Sequence, residues 1–87
     1  MKYLFQGNMN LERFNILISL TSIKSEDKIN ALKAHLVDGR SEVGSYTLNG
    51  VDGSNFREAL NTLNSVAEKV EKIKEIDLAR FNLTLKG

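Results

Sequence analysis

Apolar residues recur along most of this chain at the three- and four-residue spacing of amphipathic helices. The first such segment covers about residues 10–19, where one face would carry Leu11, Phe14, Leu17 and Ile18. Asn10 is predicted to be its N-cap, because its side-chain oxygen can accept a hydrogen bond from an unpaired amide of the first turn. Glu12 would add a favourable charge at the positive end of the helix.

A second helix is predicted after Ser25, which would be its cap, with Glu26 and Asp27 in the first turn. Gly39 stands where a left-handed residue ends many helices. The apolar stripe of this helix would contain Ile29, Leu32, Leu36 and Val37. Away from the stripe lie three lysines, which form either a solvated face or a set of phosphate contacts: Lys24, Lys28 and Lys33.

A third, shorter helix is predicted over residues 41–47, capped by Ser41, with Val43 and Tyr46 on its inner side. Residues 48–53 are rich in turn formers. The competing interpretation is a β-hairpin over residues 44–51, built around the Asn-Gly pair at 49–50. The helix is favoured because the two strands would be very short and would have no partner.

The fourth predicted helix starts near Ser54 and meets no breaker as far as Ile76, either as one long helix or as two with a bend near residues 64–65. One face would carry Phe56, Leu60, Leu63, Ala67 and Val70. A seam at alternating spacings of four and three contains Ala59, Leu63, Val66, Val70 and Ile73. Such a seam is typical of a coiled coil, but it could equally be the face that the helix turns to its own core. Residues 77–87 would add a short helix or strand, or dock on a neighbouring chain.

Composition favours one small all-α domain spanning residues 1–87, with four to five helices. The chain has no Cys, no Pro and six Gly, and its formal net charge is +1. DNA binding would therefore need local basic clusters or several copies of the chain. No apolar run approaches the roughly 20 residues of a membrane span, and a signal peptide is not expected. Residues 3–7 could be partly vector-derived, and we expect little functional contribution from them.

The sequence lacks the residues of a recognisable catalytic, metal or cofactor site. His35 is the only histidine, so a nucleophile–histidine pair is hard to build, and a structural or surface role is expected for it. No cluster of His, Cys, Asp or Glu has metal-ligand spacing, and residues 50–53 do not match a phosphate-binding loop. We therefore expect neither an enzyme nor a small-molecule substrate.

The order of elements suggests a helix-turn-helix. Residues 41–47 would be the supporting helix, 48–53 the turn and 54–63 the recognition helix. The outward face of the recognition helix would carry small polar residues and one arginine, which suit phosphate and groove contacts: Ser54, Asn55, Arg57, Glu58, Asn61 and Thr62. Many helical hairpins share this pattern when it is taken alone.

An ordered set of residues resembles the PapB/FocB family of regulators of fimbrial (adhesin) operons. The set comprises Gly7, Met9, Phe14, Leu17, Ile18, the run 22–25, Ile29, Ala31 and the run 36–41, and it resumes at Phe56, Leu60 and Leu63. The resemblance covers about residues 7–67, and residues 68–87 would be a C-terminal helix extension and tail. The chain departs from the family in the supporting helix, where Glu42 and Tyr46 replace a basic residue and a small thiol residue.

The resemblance implies a cytoplasmic, nucleoid-associated bacterial regulator that binds AT-rich promoter DNA as an oligomer. The candidate DNA-contact residues are Arg40, Ser54, Asn55, Arg57, Asn61 and Thr62, and those for oligomerisation are Val66, Val70 and Ile73. The competing interpretation is a helical protein–protein module that has kept the fold without strong DNA binding.

Overall fold

The computed structural model describes residues 3–86, with side chains through Phe81, and all of its regular structure is helical. The helices are α1 (Leu11–Ser19), α2 (Glu26–Leu36), α3 (Glu42–Leu48) and α4 (Gly53–Lys86). The all-α prediction is therefore confirmed. The hairpin alternative is wrong, because residues 44–48 are helical and the described part of the chain contains no strand.

Three of the helices begin where their capping residues predict. The side chain of Asn10 accepts a hydrogen bond from the Arg13 amide at 2.7 Å, and Ser41 accepts one from the Gly44 amide at 3.0 Å. Ser25 caps α2 in the same way through the Lys28 amide, at 3.4 Å. Each cap and its partner lie three residues apart, so local sequence is sufficient to set these boundaries.

The core lies where α1 and α2 cross the first half of α4. Phe14, Leu32 and Leu63 are completely buried at its centre. His35 is also buried, with its ring edge-on to Phe56 at a centroid distance of 6.0 Å and its Nδ1 2.8 Å from the Arg40 carbonyl oxygen. His35 is thus a structural residue that joins the end of α2 to the core.

The inner side of α3 differs from the prediction. Val43 is 62% exposed, whereas Ser45 is completely buried and donates its hydroxyl hydrogen to the Ser41 carbonyl oxygen at 2.7 Å. Small Ser45 allows a close approach of α3 to the core, and the self-contained hydrogen bond offsets the cost of burying a hydroxyl. Tyr46 is half-buried, as expected for an inner residue, and a Cβ on Gly53 would lie only 3.2 Å from its ring. Glycine at that position therefore makes room for the tyrosine.

The N-terminal segment belongs to the fold, a structural role that the sequence analysis did not predict. Leu4 is buried in the core. The Gly7 amide donates to the His35 carbonyl oxygen at 3.0 Å, and the Gln6 side-chain amide donates to the Gly39 carbonyl oxygen at 2.8 Å. The segment thereby covers carbonyl groups at the C-terminal end of α2.

α4 is one helix of 34 residues without a separate second segment. At about 1.5 Å per residue it is roughly 51 Å long, which accounts for most of the 54 Å extent of the molecule. Its last described ion pair to another helix joins Glu71 to Arg13 at 2.6 Å. The C-terminal half therefore projects beyond the other three helices.

The seam predicted along α4 divides between the core and the projecting half. Ala59 and Leu63 are buried, and Val66 and Val70 are partly buried against the chain's own core. Ile73 is 58% exposed. Beyond it, three more large apolar side chains are exposed: Ile76, Leu78 and Phe81. Only the last position of the predicted seam thus lies on the surface.

Candidate nucleic-acid interface

α3 and α4 are connected by a four-residue turn, residues 49–52, in the order and with the lengths of a helix-turn-helix. Gly50 adopts a left-handed conformation, with φ of 67°. The amide of Val51 then donates back to the Tyr46 carbonyl oxygen at 2.9 Å, which closes the end of α3. The turn holds the start of α4 close to the end of α3.

Asp52 caps α4, so the helix begins at Gly53, one residue before the predicted start. The Asp52 carboxylate accepts hydrogen bonds from the Ser54 hydroxyl and, at 3.1 Å, from the Ser54 amide. These bonds, led by that of the Ser54 hydroxyl and joined by one from the Asn55 amide, lower the pKa of Asp52 below its ordinary value. The cap orients the first turn of α4 and occupies the Ser54 hydroxyl.

The exposed face of α4 forms one wall of an open groove of about 730 Å³. The opposite wall is the loop of residues 20–22, between α1 and α2. Four of the six predicted contact residues line this groove: Ser54, Arg57, Asn61 and Thr62. The steps of three and four residues from Ser54 through Arg57 to Asn61 follow the helical period, and Thr62 is next to Asn61, so all four lie on one side of α4.

Basic side chains border the groove along its length. Arg57 lies toward the start of α4, and Lys69 lines the far end. The groove continues into a smaller hollow of about 210 Å³, which Lys24 and Lys28 line beside the start of α2. Glu58, an acidic residue, is common to both hollows.

The sequence analysis missed part of this surface. Lys69 and the loop of residues 20–22 were not predicted to face the same groove as the recognition helix. Lys69 continues the helical spacing of Thr62 and Ser65, and this periodicity could have identified it. No local pattern indicates that the loop would pack opposite α4.

Arg57 forms an ion pair with Glu42 in the first turn of α3. Arg57 Nη2 lies 3.8 Å from Glu42 Oε1, and the two side chains are 71% and 39% exposed. Both residues line a third hollow, of about 300 Å³, on the α3 side of α4, together with Asn61 and Asn64. Arg57 therefore borders two surfaces, the groove and this hollow.

Two predicted contact residues lie outside the groove. Arg40 is exposed in the loop between α2 and α3, where its backbone amide donates to the Ala34 carbonyl oxygen at 2.9 Å. Asn55 is exposed on α4 but does not line the groove. These two residues remain candidates for contacts at the edge of the surface.

Within residues 3–86 no group of three or more acidic or histidine side chains is arranged to hold a metal ion. No helix in that same part of the chain is long and apolar enough to cross a membrane.

Comparison with known proteins places these features in a family context. The family model described as adhesin biosynthesis transcription regulatory protein, PapB, matches residues 1–76. The crystal structure of Escherichia coli FocB superimposes with a TM-score of 0.81 at 28% sequence identity, covering 86% of this chain and 85% of that one. No curated protein sequence matches the chain significantly.

Proposed function

Because the chain belongs to the PapB family of adhesin biosynthesis transcription regulatory proteins, we propose that it regulates adhesin genes by binding double-stranded DNA directly, through α3, the turn and the first half of α4. One observation carries this proposal. Ser54, Arg57, Asn61 and Thr62 share one groove with Lys69, and the groove continues into the hollow that Lys24 and Lys28 line. An α-helix that presents polar side chains from its first turns is the element that a helix-turn-helix uses to contact DNA.

The groups on this surface suit both kinds of DNA contact. The amide of Asn61 can donate to and accept from a base edge, whereas the Thr62 hydroxyl and the lysines suit phosphate oxygens. In the free protein Thr62 donates its hydroxyl hydrogen to the Glu58 carbonyl oxygen at 3.1 Å, so this bond must break before the hydroxyl can donate to a phosphate oxygen. We further propose, from the family, that the site is AT-rich promoter DNA in the bacterial cytoplasm.

Binding by one protomer would be weak and strongly dependent on salt. The net charge is only +1, so attraction to phosphate must come from the local cations of the groove. Four basic residues border the groove and the smaller hollow that continues it: Arg57 and Lys69 in the groove, and Lys24 and Lys28 in the hollow. If each neutralises one phosphate, the logarithm of the binding constant falls with a slope of about −3 to −4 against the logarithm of salt concentration.

We also propose that several protomers bind together, through the projecting half of α4. Ile73, Ile76, Leu78 and Phe81 are all between 57% and 60% exposed. Burying such side chains against a second chain would remove apolar area from water, at roughly 25 cal/mol per Å². Lining up several copies on one duplex would also multiply the weak attraction of each protomer for phosphate.

The test of direct binding is a fluorescence anisotropy titration of AT-rich promoter DNA with wild-type protein, Arg57→Ala and Lys72→Ala. Lys72→Ala is the matched control, because it removes the same charge from an exposed residue outside the groove. Arg57→Ala should weaken binding by about 1–3 kcal/mol if Arg57 contacts a base, or reduce the salt slope by about one if it contacts a phosphate. Equal affinity and equal salt slope for all three folded proteins would exclude Arg57 from the interface.

A helical protein–protein module is the second candidate function. The observations in its favour are the Glu42 carboxylate beside the best DNA-contact residue and the exposed apolar residues of α4. The same titration distinguishes the two functions, since this second function predicts no DNA binding even at low salt.

A further inference from the structure

Arg57 occupies a position from which its side chain can serve either of two surfaces. On one side it lines the groove with Thr62 and the loop of residues 20–22. On the other side it lines the smaller hollow with Glu42 and Leu60. The arginine side chain is long and can rotate around several single bonds. Its guanidinium can therefore move between these two surfaces without a change in the fold.

In the free protein the guanidinium is paired with Glu42. The separation of 3.8 Å between Arg57 Nη2 and Glu42 Oε1 is near the limit of an ion pair, and Arg57 is 71% exposed. An exposed, long pair of this kind is weak, because water screens the charges and two flexible side chains must be held together. A DNA phosphate can therefore displace the carboxylate.

We propose that Glu42 is an affinity-determining residue: its carboxylate competes with DNA phosphate for Arg57 and so sets how tightly the protein binds. The inference rests on the proposed function, because it requires that Arg57 contacts DNA. Binding must break the pair, and the released carboxylate of Glu42 then remains close to the phosphates and repels them. Each effect lowers affinity without altering the fold.

The first experiment compares Glu42→Gln with Glu75→Gln in anisotropy titrations at several salt concentrations. Both variants raise the net charge by one, but Glu75 lies exposed on the projecting half of α4. Glu42→Gln should bind DNA about three- to tenfold more tightly, with a salt slope steeper by up to about one. Glu75→Gln should change the affinity by less than about twofold. Equal affinities for Glu42→Gln and wild type would overturn the inference while leaving DNA binding in place.

The second experiment asks whether the gain passes through Arg57. In a double-mutant cycle, Glu42→Gln should improve the binding of wild-type protein but have little effect in the Arg57→Ala background. If the gain is the same in both backgrounds, Glu42 acts by general repulsion, and the competition for Arg57 is excluded. Circular dichroism of each variant verifies that α3, which begins at Glu42, is intact.

The third experiment needs no DNA. In ¹⁵N-labelled protein, the side-chain Nε–H resonance of Arg57 should shift and become more mobile in Glu42→Gln and remain unchanged in Glu75→Gln. An unchanged resonance in both variants would show that Glu42 does not hold Arg57, and would overturn the inference on its own. Failure of wild type and Glu42→Gln alike to bind DNA at low salt would instead overturn the proposed function, and the inference with it.

Discussion

Replacing Gly7 with alanine tests whether the N-terminal segment is part of the folded domain. Gly7 has φ of +65°, in the left-handed region, and a Cβ added to it would lie 3.0 Å from the Cα of Gly39. Both backbones are held by hydrogen bonds, Gly7 to His35 and Gly39 to Gln6. The new methyl group therefore meets backbone that cannot move without breaking one of these bonds.

The expected loss of stability has two parts. A left-handed conformation costs an L-residue such as alanine about 1–2 kcal/mol relative to glycine. Moving the new methyl group away from Gly39 should break one or both of the hydrogen bonds that Gly7 and Gly39 make, at about 0.5–1.5 kcal/mol each. Gly7→Ala should therefore destabilise the domain by about 1.5–5 kcal/mol in total.

Gly50→Ala is the matched control, because Gly50 has nearly the same φ, +67°, and no atom lies within 4 Å of the added Cβ. It should lose only the conformational part, about 1–2 kcal/mol. Urea unfolding followed by circular dichroism, at one fixed protein concentration, measures the difference between the two variants. Equal losses for Gly7→Ala and Gly50→Ala would mean that the segment does not pack on the end of α2, and would refute the reasoning.

Two further predictions concern the middle of α4 and its projecting half. The Arg13 side chain donates a hydrogen bond to Glu71 and thereby lowers the pKa of that carboxyl below its ordinary value of 4.5. A lowered folded-state pKa contributes stability above the ordinary value that is lost as pH falls through the folded value. Arg13→Gln should thus lower Tm at neutral pH and have little effect in acid, and a Tm deficit independent of pH would contradict this. Ile76→Asp should dissociate the proposed oligomer, measured by sedimentation velocity, without loss of helicity. Val70→Asp should instead unfold the protomer, because Val70 packs against the chain's own core. A wild-type protein that is monomeric at all concentrations would exclude the projecting half of α4 as the contact between protomers.

The start of each of the first three helices could be predicted from the sequence because it depends on neighbours. Asn10, Ser25 and Ser41 each bond an amide three residues away, so the cap and its partner are read together. The polar face of α4 was predictable for the same reason. Ser54, Arg57 and Asn61 follow the helical period, whatever packs on the other side.

Residue identity alone did not determine which apolar positions are buried. Val43 was expected on the inner side of α3, but small Ser45 occupies that place because α3 approaches the core closely. Along α4 the apolar spacing continues from Val66 to Ile73, yet burial stops where α1 no longer covers the helix. The period of a helix indicates a face, whereas its coverage depends on the lengths of the other helices.

The sequence by itself determined four features: an all-helical chain, the caps of the first three helices, a helix-turn-helix order and the polar face of its second helix. Tertiary structure alone decided that residues 3–7 close the end of α2, that a distant loop forms the second wall of the groove, and that Glu42 pairs with Arg57. The physical reason is sequence separation. Capping and periodicity act within one or two turns, whereas these contacts join residues that only the packing of the helices brings together.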